Sequence, residues 1–206
     1  MIIDTISPLS SGALNEFKSA GGTGVIKYYC PNTAIPSKRL TRSDAELIIA
    51  AGLTVGAVYE VGAAYADFSS DLGSQAGEYA LEYASTVIGQ PQGSAIYFAI
   101  DYDETGAHLQ SNVAPYFQAI KTIIGGYYKI GCYGNGLVLQ TLLDAGLIDY
   151  AWLSESSAFT GTKDFLASGR WHLHQSVSKP LFGLVVDTNT VGNSGIWGGF
   201  SALSPI

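Results

Sequence analysis

The chain has 206 residues, 47% of them hydrophobic and only 13% charged, with a formal net charge of −7. That composition supplies one sizeable core and excludes a disordered chain. The acidic balance, without a run of Lys or Arg, excludes a nucleic-acid binder, which needs a basic face. No apolar run approaches the roughly 18–20 residues of a membrane span.

Residues 1–5 form a short apolar run carrying Asp4, and the Ser-Pro-Leu-Ser-Ser-Gly that follows reads as a loop. A short helix is expected over 13–20, stopped by Gly21-Gly22, then a second strand over 25–29 with Lys27 and Tyr29 on one face. Thr41 is placed to cap a helix with Asp44 at the capping-box position, and Gly52 ends that helix. The third strand, 53–60, ends in Glu60. A longer helix over 71–88 closes at Gly89 and Pro91.

The fourth strand follows. Ile96 to Ile100 is an apolar run that surfaces into Asp101-Tyr102-Asp103. Strand side chains alternate, which puts Tyr97, Ala99, Asp101 and Asp103 on one face. A helix over 109–124 contains Pro115, which marks a kink or a later start. A fifth strand (129–135), a helix (136–145), a sixth strand (150–156) and a short helix (162–167) lead to strands over 171–176 and 184–189.

Strands alternating with helices this regularly imply βα units and a mainly parallel sheet. Eight strands in one domain over 1–206, with Asp4, Glu60 and Asp103 at strand exits, favour an α/β TIM-like (β/α)8 barrel. No glycine-rich phosphate loop follows the first strand, which disfavours the dinucleotide-binding alternative. Between Ser176 and Leu184 there are too few residues for a helical crossover. The last two strands should therefore pair as a hairpin, leaving the late barrel irregular and helix-poor.

Assigning strand faces gives an inward set of Asp4, Lys27, Tyr29, Glu60, Asp101, Asp103, Tyr133, Asn135, Trp152, Ser154, Gln175, Asp187 and Asn189. Lys27 reads as an internal salt-bridge partner for Asp4 or Glu60, and Glu155 as a surface acid. Paired carboxylates in an aromatic cleft suit glycoside hydrolysis: one protonated carboxyl donates to the leaving oxygen while an anion faces the oxocarbenium-like centre. Tyr29, Tyr133, Asn135, Trp152, Gln175 and Asn189 are the candidate sugar-binding residues. Cys30 and Cys132 fit no metal or redox spacing and read as free thiols. His172 and His174 stand two apart, as metal ligands do, but on the face opposite Gln175. No metal and no cofactor is expected.

In its order of motifs the chain resembles a glycoside hydrolase-like domain family, formerly classed as of unknown function and related to the family 25 lysozymes. The matching residues are Asp4, Tyr28-Tyr29, Leu40-Thr41, Ala51-Gly52-Leu53 with Tyr59-Glu60, Gly89-Gln90-Pro91, Ile96 to Asp103, Tyr133-Gly134, Trp152, His174-Gln175 and Asp187-Thr188-Asn189. The resemblance implies a flattened barrel with weak late helices. It also implies carboxylate catalysis, with Asp103 where those lysozymes carry a proton-donating Glu and with Asp4 and Asp187 as the two other acids.

The leading expectation is a peptidoglycan-directed glycosidase, a muramidase, with Asp103 as acid, Asp101 and Glu60 as anion or base, and Asp4 and Asp187 shaping the cleft. A catalytically inactive carbohydrate-binding barrel is the rival, and a metal-dependent deacetylase using His172 and His174 a third reading. The expected partner is a polysaccharide, with no nucleic acid and no membrane span, and the chain is expected to be a monomer. The N-terminus shows no charged leader followed by an apolar core. Synthesis in the cytoplasm without a signal peptide, with action at the cell wall after release or export, is the expected localisation.

Overall fold

A computed structural model describes residues 1–206. Eight strands close into a barrel in chain order: β1 (Ile2–Thr5), β2 (Gly24–Tyr29), β3 (Thr54–Tyr59), β4 (Ala95–Ala99), β5 (Lys129–Gly134), β6 (Tyr150–Leu153), β7 (Leu173–Leu181) and β8 (Leu184–Val191). Six helices surround it: α1 (Ser11–Ser19), α2 (Arg42–Ala50), α3 (Ser70–Glu82), α4 (Ala114–Ile124), α5 (Gly136–Asp144) and α6 (Thr162–Ser168). No helix is long and apolar enough to cross a membrane.

Strands β1 to β7 run parallel to their neighbours, and β8 closes the barrel antiparallel to both β7 and β1. The hairpin expected from the short β7–β8 link is therefore present. Its two turn residues, Phe182 (φ 53°) and Gly183 (φ 76°), both adopt the left-handed backbone that a two-residue hairpin turn requires. Phe182 tolerates this while its ring packs on Phe17 of α1, centroids 6.0 Å apart.

Local signals account for the helix ends. The Thr41 hydroxyl accepts from the Asp44 backbone N–H, and the Asp44 carboxylate accepts from the Thr41 N–H at 3.1 Å, completing the capping box of α2. Gly52 follows that helix with φ +71°. Helix α3 continues as a π-helical stretch to Ile88 and stops at left-handed Gly89. Pro115 lies in the first turn of α4, where its missing N–H costs nothing, so the regular helix starts later than 109.

The core has two layers. Between strands and helices lie residues such as Val25, Tyr29, Phe98, Phe117 and Ile130. Inside the barrel lie Ile2, Ile26, Val58, Ala95, Tyr97, Ala99, Trp152, Leu173 and Trp197. Trp197 comes from the C-terminal segment, which seals the end of the barrel where the strands begin. Val55 and Phe200 exchange backbone hydrogen bonds of 2.8 and 2.9 Å, and the Tyr97 hydroxyl donates to the Trp197 carbonyl at 2.6 Å. With that end plugged, only the other mouth is open.

Two expectations about strand faces fail. Ile26 and Tyr28 point into the barrel, so Lys27 and Tyr29 point outward. Strand β2 is buried on both faces, which removes the polar–apolar alternation that would have fixed its phase. Lys27 pairs with Asp44 of α2 at 3.4 Å, not with Asp4 or Glu60. The Tyr29 hydroxyl donates to Gln90 at 2.6 Å beneath the helices, away from the mouth.

A carboxylate pocket at the open mouth

The mouth at the strand C-termini holds a cavity of about 210 Å³ lined by Tyr28, Val58, Glu60, Ala99, Asp101, Tyr133, Trp152, Glu155, Gln175 and Asp187. It lies below the usual range for drug-sized ligands, which leaves room for a ring-sized group. Four of its ten lining residues are acids: Glu60, Asp101 and Glu155 lie just past the ends of β3, β4 and β6, and Asp187 lies within β8.

Asp101 follows β4, still held by the ladder through the Ile100 N–H to the Tyr133 carbonyl at 2.8 Å. Its side chain keeps contact with solvent. Desolvation, together with the Glu60 charge, raises its pKa above the ordinary carboxylate value, and Lys38 partly offsets this. Glu60, leaving β3, pairs with Lys38 Nζ at 2.6 Å. The result is an acid whose pKa lies above the ordinary carboxylate value beside a carboxylate fixed by an ammonium.

The floor is built by Asp4. It is 1% exposed and accepts from Asn189 Nδ2 at 2.7 Å, the Tyr28 hydroxyl at 3.2 Å and Gln175 Nε2 at 3.3 Å. Burial still pushes its pKa up to about 7, with the neighbouring Asp187 charge adding to the rise. Burial raises the Asp187 pKa as well, and its hydrogen bonds with Ser178 and Asp4 oppose the rise. Although β8 is antiparallel, Asp187 still reaches the mouth because its register partner is Asp4.

Aromatic and amide groups complete the wall. Tyr133 donates to Gln175 Oε1 at 2.8 Å and meets Trp152 edge-on, centroids 5.0 Å apart. Trp152 donates from Nε1 to Asn189 Oδ1 at 2.7 Å. It belongs to both the barrel interior and the pocket. Asn189 itself is buried and braces Asp4 and Trp152; it does not line the cavity.

Besides Tyr29, two further expected site residues lie elsewhere. Asp103 Oδ1 accepts from the Thr160 N–H at 2.7 Å and from Asn135 Nδ2 at 2.8 Å, tying the loop after β4 to the loop after β6. Burial alone would raise its pKa, but these donors carry it below the ordinary range. Asp103 is thus a bound anion outside the cavity, unsuited to donating a proton. Asn135 is fully buried as the N-cap of α5, accepting from Val138 N–H at 3.0 Å and donating to Asp103 and the Glu104 carbonyl. The ladder ends just after β4, so strand alternation cannot be carried on to position 103.

Sequence reasoning missed Tyr28 and Glu155. Tyr28 sat one residue out of phase. Glu155 was assigned outward by continuing β6, which in fact stops at Leu153. The adjacent Glu104 offers no replacement donor: its carboxylate, 1% exposed, accepts from the Tyr102 hydroxyl at 2.7 Å and the Gly106 and His108 N–H groups at 2.6 and 3.2 Å. His172 accepts the Ala151 N–H at Nδ1 (3.0 Å), and His174 packs on Trp171. The donor set of the deacetylase reading is not brought together, and no group of three His, Cys, Asp or Glu is arranged to hold a metal. Cys30 and Cys132 are buried and unpaired with each other.

Comparisons with known proteins agree with this architecture. The protein FadG of Bacillus subtilis (strain 168) is 29% identical over 198 residues, covering 92% of this chain but 32% of FadG, so the chain spans about a third of that relative. The crystal structure of Rv2525c from Mycobacterium tuberculosis has a TM-score of 0.79 at 21% identity, covering 96% of this chain and 97% of that one. The catalytic domain of endolysin Ply40, from bacteriophage P40 of Listeria monocytogenes, has a TM-score of 0.61 at 14% identity, covering 94% and 93%. At these identities the two structures share the fold. Rv2525c is a Tat-secreted protein, which stands against the expectation of a chain made without a signal peptide. The model of the Rv2525c-like, glycoside hydrolase-like domain family matches residues 15–190, and the chain belongs to that family.

Proposed function

We propose that this domain is a glycosidase acting on a cell-wall glycan, with Asp101 as the proton donor and Glu60 as the facing anion. The supporting observation is that pair: two carboxyls on neighbouring strand exits of one ring-sized pocket, Asp101 with its pKa raised by burial and by the Glu60 charge, and Glu60 ion-paired to Lys38. An acid whose proton is held more tightly, beside a carboxylate paired with an ammonium, offers separate acid and anion roles. Asp101 gives its proton to the glycosidic oxygen as the C–O bond breaks, Glu60 balances the positive charge growing on the ring, and water adds to the vacated carbon while its proton passes to the Asp101 carboxylate, restoring the acid. Tyr28 and Tyr133 offer aromatic surface and Gln175 an amide to the sugar, with the buried Trp152 backing Tyr133. Asp4 and Asp187 form the floor. The likeness to an endolysin catalytic domain is the reason for choosing peptidoglycan as the first substrate.

One observation favours a second reading, a barrel that binds sugar without cutting it. The residue to which the resemblance to family 25 lysozymes assigns proton donation, Asp103, is committed to Thr160 and Asn135. Purified peptidoglycan incubated with the protein decides between them. New reducing ends released by wild type and lost in Asp101→Asn support the glycosidase. Binding to the walls with no reducing ends from wild type supports the binding barrel.

A further inference from the structure

The loop between β2 and α2 is built to deliver one side chain. Arg39 donates from Nε to the Cys30 carbonyl at 2.9 Å and from Nη2 to the Pro31 carbonyl at 2.7 Å, and the Leu40 N–H donates to the Tyr28 carbonyl at 2.8 Å. These bonds staple a single 3-10 turn, Pro36–Lys38, beside the strand. Lys38 then lies 4.5 Å from the centroid of the Tyr28 ring, with Nζ 2.6 Å from Glu60.

Ion pairs on a protein surface contribute little, because water screens them. The Lys38–Glu60 pair is of another kind. Its side chains are 19% and 27% exposed, whereas Lys129–Asp149 stands at 54% and 40% and Arg170–Asp144 at 41% and 55%. It is also the ion pair that includes a residue of the pocket wall.

We propose that Lys38 is a positioning residue of the pocket: its ammonium fixes the Glu60 carboxylate in the wall and so sets the charge of the cavity that Glu60 shares with Asp101. The groups facing Lys38 are Glu60 from β3, Asp101 from β4, and Tyr28 and Cys30 from β2 and its exit. Those around Asp101 are Glu60, Lys38 and Tyr133, with Glu155 and Asp187 on the same cavity. Lys38 is the one cation in either set. Glu60 makes it harder for Asp101 to ionise and Lys38 makes it easier, so removing Lys38 leaves the like-charge repulsion uncompensated.

This deepens the reading of Asp101 as proton donor, and its test does not use hydrolysis. The Asp101 carboxyl carbon is followed by ¹³C NMR through a pH titration, its signal assigned by its loss in Asp101→Asn. In Lys38→Met, which keeps the apolar stem over Tyr28, the midpoint should move to higher pH, and Lys38→Arg should restore it. Glu60→Gln should move it to lower pH, which gives a second arm if Lys38→Met does not fold. An unchanged midpoint in folded Lys38→Met, or in Glu60→Gln, overturns the proposal. Absence of glycan cleavage by wild type would count against the glycosidase alone.

Discussion

Asp4 and Asp187 stand directly opposite each other across the antiparallel β1–β8 junction. A last strand running the other way would ordinarily carry its end residues to the far mouth. Here the register brings a second acid onto the floor of the pocket, over a carboxyl that is already buried.

That arrangement has a consequence for stability. The folded chain holds the Asp4 proton up to about pH 7, whereas the ordinary value is 3.8. The folded state therefore binds more protons than the unfolded state across that window, and stability falls as pH rises through it, by on the order of a few kcal/mol. Urea denaturation from pH 4 to pH 8 should show this decline, and Asp4→Asn should flatten it. A wild-type stability independent of pH over that range would contradict the assignment.

Asp103 is expected to matter for folding and not for proton donation. Asp103→Ala leaves the Thr160 N–H without its acceptor and the Asn135 amide with the Glu104 carbonyl alone, at about 1–3 kcal/mol. Asp103→Glu, which restores the side chain of the family 25 lysozymes, should also destabilise and should not raise reducing-end release. A gain of activity in that variant would mean that the side chain reaches the cavity after all.

Much of the barrel was legible in the chain. The βα alternation, the Thr41–Asp44 capping box and the short β7–β8 link each name a local structure with a physical cause, and all three are present. The candidate site was legible only where the ladder continues. Asp4, Asp101, Trp152 and Gln175 sit on or just beyond paired strands, so alternation placed them on the inner side. Position 103 and position 155 lie past the ends of β4 and β6, where loop hydrogen bonds decide direction. In β2 the failure was different: with both faces buried, Lys27 mimicked an inward polar residue while pairing with a helix.

Trp152 links the wall to the floor. Trp152→Phe keeps the aromatic volume but removes the Nε1 donor, leaving the buried Asn189 carbonyl unpaired at about 1–3 kcal/mol. Because Asn189 also donates to Asp4, the pH dependence of stability should change with it. Parallel denaturation curves differing only in midpoint would limit Trp152 to packing.

The sealed end makes its own demand. A Cβ on Gly56 would stand 2.6 Å from the Trp197 ring and 2.7 Å from Ile26 Cγ1. Both neighbours are enclosed in the barrel, so Gly56→Ala should destabilise by about 1–3 kcal/mol through overpacking. Thermal unfolding reads this directly. A variant as stable as wild type would show that the Trp197 plug is loosely seated.

The most direct measurement is a crystal structure of Asp101→Asn with a peptidoglycan oligosaccharide bound. The expected result places a glycosidic oxygen within about 2.6–3.2 Å of the side chain at position 101, as a proton donor requires, with Glu60 facing the adjacent ring carbon. A sugar seated with its glycosidic oxygen against Asp103, or bound outside the pocket of Tyr28, Glu60, Tyr133 and Trp152, would contradict it.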